Sequence, residues 1–77
     1  MRIVRITCAD MSWNSSQVDL DDTKWFGLVE LHIVGWLLEE RNDCYIIAKE
    51  INKKERTARH LTAIPKSMVT GIKFLRV

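Results

Sequence analysis

The chain has 77 residues, 47% of them hydrophobic, and a formal net charge of +2. That length is one domain, residues 1–77, with a small core and an expected net stability on the order of 3–5 kcal/mol. The apolar content excludes disorder. No apolar run reaches membrane-spanning length, so no membrane association is expected.

Met1-Arg2-Ile3-Val4-Arg5 interleaves charge with apolar residues and contains no apolar signal block, which predicts a cytosolic protein. Arg2 to Cys8 alternates as a first strand, with Val4, Ile6 and Cys8 on one face and Ile3, Arg5 and Thr7 on the other. Ala9 to Ser16 brings in turn and capping residues. Ser16 is placed to cap a short helix from Gln17 or Val18 to about Lys24, with Asp19 in its first turn. The alternative is an irregular excursion. Trp25-Phe26-Gly27 then turns the chain toward a second strand.

The centre of the chain, Val29 to Ile51, holds two apolar runs rich in β-branched and aromatic residues. Between them lies the polar tetrad Glu40-Arg41-Asn42-Asp43, which predicts a β-hairpin. Gly35 interrupts the first run and marks a bulge or a close backbone approach. Asn52 to Arg59 is polar and mostly charged, and is expected to form an exposed loop. His60 to Ile64 reads as a fourth strand, stopped by Pro65. Pro65 to Met68 fits one helical turn, and Val69 to Val77 a fifth strand. Together these elements predict a mainly β fold: a small five-stranded antiparallel SH3-like (Sm-like) barrel, with a short helix or irregular excursion after strand one. An open meander with a helix on one face is the competing architecture.

Charge is unevenly spread. Residues 1–48 hold four basic and eight acidic side chains, a net of −4, and residues 49–77 hold eight and two, a net of +6. This pattern suits a basic face for an anionic partner, or attraction between the two halves of one chain or of neighbouring subunits. Lys53, Lys54, Arg56 and Arg59 are the candidate anion contacts, Arg as a planar fork and Lys as a point charge. The alternative is a solvated loop, since Glu50 and Glu55 dilute the field and no aromatic interrupts it to stack on bases.

Trp36 is expected in the core, beside Gly35. Trp13 and Trp25 lie in the excursion, either covering one end of the barrel or forming an aromatic wall for a ligand or partner. Cys8 and Cys44 read as free thiols in a reducing compartment. With His32 and His60 they have zinc-ligand chemistry but none of the short paired spacings, so no metal or other cofactor is expected. Asp19, Asp21 and Asp22 lack the pattern of a calcium loop. No nucleophile and base are fixed together, so no catalytic residue is expected.

Three stretches carry a resemblance: Val34-Gly35-Trp36-Leu37-Leu38-Glu39-Glu40; Asp43-Cys44-Tyr45-Ile46-Ile47-Ala48; and Ile64-Pro65-Lys66-Ser67-Met68-Val69-Thr70-Gly71-Ile72. With Asp10, Ser12 and Trp13, these frames resemble short uncharacterised proteins of tailed phages and prophages. The basic 52–59 stretch departs from those relatives, which often carry acidic or neutral residues and glycines there. The resemblance implies a phage-encoded, non-enzymatic binding protein in the host cytoplasm. It further implies antagonism of host defence, by sequestering a nucleotide signal or occupying a host protein. A homo-oligomer is expected, because a barrel this small has its interior filled by side chains and must place a ligand between subunits. Two other readings are a nucleic-acid-binding module using the basic 49–59 stretch, and a structural or assembly protein.

Overall fold

A computed structural model describes residues 1–10, 12, 15–76 of the chain. It contains five strands: β1 (Arg2–Asp10), β2 (Val29–Glu40), β3 (Cys44–Asn52), β4 (Thr57–Pro65) and β5 (Val69–Leu75), with one 3-10 turn, η1 (Lys66–Met68), between the last two. All pairings are antiparallel, in one open sheet of order β4-β3-β2-β1-β5. The mainly β expectation therefore holds.

The alternation in β1 does what period two requires. Val4, Ile6 and Cys8 are buried, while Arg5 between them is exposed. They form one cluster with Ile47 of β3 and Ile64 of β4, against which Ile33, Leu37, Tyr45, Met68 and Val69 pack. η1, directly after β4, lies against β1. In a flat sheet of this order β4 and β1 would be three strand spacings apart, roughly 14 Å. The sheet is therefore strongly curled, with the core in its concavity.

Gly35 is a close-approach position, and the bulge falls elsewhere. It pairs in register with Val4. A Cβ at Gly35 would sit 2.9 Å from the Ala48 carbonyl oxygen and 3.2 Å from Ile47 Cδ1. The register shift comes between Leu37 and Glu39, at Leu38. Glycine thus lets β3 cross close over β2, and the extra residue follows where β2 turns toward Glu40. The turn itself is shorter than the predicted tetrad, because Glu40 still pairs with Tyr45 and Arg41 N donates to Cys44 O at 2.8 Å.

Two expectations are corrected. No helix forms between residues 16 and 24, where the described residues hold only isolated turns: Asp22 N donates to Asp19 O, and Phe26 N to Thr23 O. From Ser15 to Leu28 every side chain is exposed, so no packed face supports a short helix, and short helices are marginal without one. Nor is 52–59 a loop. Strands β3 and β4 stay paired out to Asn52 and Thr57, so the basic stretch is the end of a hairpin with a four-residue turn.

Candidate functional site

The basic hairpin is built by its turn chemistry. Asn52 Oδ1 accepts from Glu55 N at 3.1 Å, an Asx-type bond that closes the turn. Arg56 ends the turn with φ 57°, a left-handed position that glycine or asparagine usually takes. His60, further along β4, has the same φ of 57°. Around it the pairs Ala48–Leu61 and Glu50–Arg59 are kept. A left-handed residue inside a strand bends the ribbon, and Lys53 at the tip comes back over β2, its Nζ 6.0 Å from the centre of the Trp36 ring.

Beside that return lies a groove of about 510 Å³. It is lined by the apolar Met1, Leu38, Ile51 and Ala58 together with the cations Lys53 and Arg56. A more polar recess, about 470 Å³, lies along the hairpin and includes Glu50 and Arg59. Of the four cations expected to act together, Arg56 lines the apolar groove, Arg59 the recess and Lys53 both, while Lys54 lines neither. Lys53 thus joins the two hollows, and Lys54 stands apart from them.

Trp25 is 57% exposed and meets Phe26 edge to face at 5.6 Å. Trp13 lies outside the described residues. Trp36, expected in the core, is only half buried and lies outside the buried cluster, with Lys53 over its ring.

Other candidate groups are dispersed. Cys8 is buried and Cys44 half-buried, both as free thiols. His32 Nδ1 lies 3.1 Å from Thr7 Oγ1, and its Nε2 lies 3.5 Å from Glu30. Among the described residues no three His, Cys, Asp or Glu side chains form a metal-binding group. Burial, followed by the neighbouring Asp43, pushes the Cys44 thiol above its ordinary range, which leaves it protonated and a poor nucleophile near neutrality.

At the opposite side of the curl, Lys66 ties η1 to the β2–β3 turn. Its N donates to Asp43 O at 2.8 Å, and its Nζ bonds Glu40 at 2.7 Å and lies 5.1 Å from the Tyr45 ring centre. The hydrogen bond to Glu40 holds the ammonium pKa above its usual value. This is a structural clasp between η1 and the β2–β3 turn.

Sequence reasoning located the cations but missed the apolar lining of the groove. Met1, Leu38, Ile51 and Ala58 carry no shared motif and meet only because of the bulge and the bend. No protein family, curated protein or solved structure matches the chain. No helix in the described residues is long and apolar enough to cross a membrane.

Proposed function

We propose that this is a non-enzymatic, phage-encoded binding protein that antagonises host defence in the host cytoplasm by sequestering a nucleotide signal. The observation that carries the reading is the apolar groove with Lys53 and Arg56 in its lining. An apolar lining suits a base, and a guanidinium with an ammonium suits a phosphate. The likeness of the 34–40, 43–48 and 64–72 frames to short phage proteins supports the viral origin. The strand order, the curl and the single 3-10 turn before β5 support an SH3-like (Sm-like) barrel as the finer description of the fold.

The test is calorimetric titration with a panel of cyclic mono- and dinucleotides at two salt concentrations. The expected result is binding that weakens at least tenfold in Lys53→Ala/Arg56→Ala and changes little with salt. The nucleic-acid alternative predicts instead duplex or single-strand binding. With four cations on phosphates, the log–log salt slope for duplex would be about −4. Binding to neither class, with a host protein co-purifying in native mass spectrometry, would favour occupation of a host protein. Self-association with no ligand of any kind would favour an assembly role.

A further inference from the structure

We infer that the exposed residues 15–28, between β1 and β2, are a docking strap for a second copy of this chain. The acidic strap of one copy lies on the basic hairpin of the next, and its Trp25–Phe26 pair covers the mouth of the groove. The inference deepens the nucleotide-binding reading and rests on it only for the identity of the groove's ligand.

Three observations carry the docking. First, the chain exposes too much surface. A folded monomer of 9.0 kDa is expected to expose about 4,900 Å², but this one exposes 6578 Å². The excess, about 1,700 Å², is twice the roughly 800 Å² that one partner gives up in a standard interface. That is the amount expected for a subunit with two neighbours. The radius of gyration agrees, at 16.4 Å against about 11.5 Å for a compact chain of this length.

Second, the described part of the strap exposes large apolar side chains. Leu20 is 96% exposed and Leu28 74%, and the touching pair Trp25 and Phe26 is exposed as well. A concentration of large exposed apolar side chains in one segment marks an interaction surface.

Third, the charges are complementary. Asp19, Asp21 and Asp22 make no ion pair with any described residue. The hairpin from Lys49 to Arg59 holds five basic and two acidic residues, a net of +3, and none of its cations is in a salt bridge among the described residues. Lys54 and Arg59 lie off the groove and are the cations left for carboxylates, while Lys53 and Arg56 remain for the ligand. Because strap and hairpin are different surfaces, the contact is heterologous, and repeating it generates a ring or an open chain of subunits.

The test is sedimentation velocity on the whole protein at low salt, with circular dichroism to check folding. Wild type should run as a multiple of 9.0 kDa and dissociate as salt rises. Asp19→Lys/Asp21→Lys/Asp22→Lys should run as a monomer, as should Lys54→Asp/Arg59→Asp. A chain carrying both sets restores the complementarity with the signs exchanged and should assemble again. Wild-type monomer at 100 µM-scale concentration (about ten times a typical weak-dimer Kd) overturns the inference, and so does a doubly reversed chain that folds but stays monomeric. Trp25→Ala should weaken cyclic-nucleotide binding at least tenfold, and unchanged affinity would overturn the groove-covering role. An assembly that obeys the charge rule but binds no nucleotide supports docking and overturns only the functional reading.

Discussion

The body of the sheet and the two ribbons that leave it follow different rules. In the body, Val4 and Ile6 have no exposed surface, and Ile47 and Ile64 have 3%. The Lys66 clasp then fixes η1 over the β2–β3 turn. The hairpin tip buries almost nothing, yet it is regular, because paired backbone and an Asx bond satisfy it locally. The described residues between β1 and β2 pair with no strand. Their bonds include two turn bonds and the Ser12 hydroxyl donating to Gly27 O. Order at the surface thus comes from backbone pairing in one ribbon, whereas the other carries apolar side chains that stand exposed.

The largest break in this contrast should come from the body. Ile6→Ala is expected to cost about 2–5 kcal/mol, comparable to the whole stability of a domain this size, and urea denaturation should find the variant mostly unfolded. Gly35→Ala comes next, at about 1–3 kcal/mol. Its Cβ meets a backbone oxygen that cannot swing aside; a urea midpoint equal to wild type would show that β3 does not cross β2 so closely.

A ribbon change should act in the opposite direction. Arg56→Gly removes a left-handed penalty and should stabilise the hairpin by about 1 kcal/mol, seen as slower amide exchange at the tip, while weakening any anion bound in the groove. The smallest effect is the clasp's pH dependence. Because the folded Lys66 pKa is raised, its contribution is present below the ordinary lysine range and is lost as pH rises through the folded value. The raised Cys44 thiol has the same sign but acts at lower pH. In a Cys44→Ser background, melting temperature should fall at alkaline pH, and Lys66→Met should flatten that fall.

Local pattern carried most of the architecture. Period-two alternation placed β1 and the β2–β3 pair, apolar runs placed most of β4 and β5, and Pro65 placed η1, because these signals depend on near neighbours. The same reasoning failed at 16–24, where capping residues without a packed face could not hold a helix. It failed again at 52–59, where charge suggested a loop but backbone pairing with Asn52 and Thr57 continued the strands.

The sequence by itself determined the strand content, the buried face of β1, the need for glycine at position 35 and the uneven charge, since each is set by residue type and spacing. Only the tertiary structure decided that the sheet curls so that η1 meets β1, and that Leu38 rather than Gly35 is the bulge. It also set Lys53 on both hollows, Arg56 and Arg59 on one each, and Lys54 on neither. Those outcomes depend on where distant strands meet and on backbone bends at Arg56 and His60, for which no short stretch of residues carries a signal.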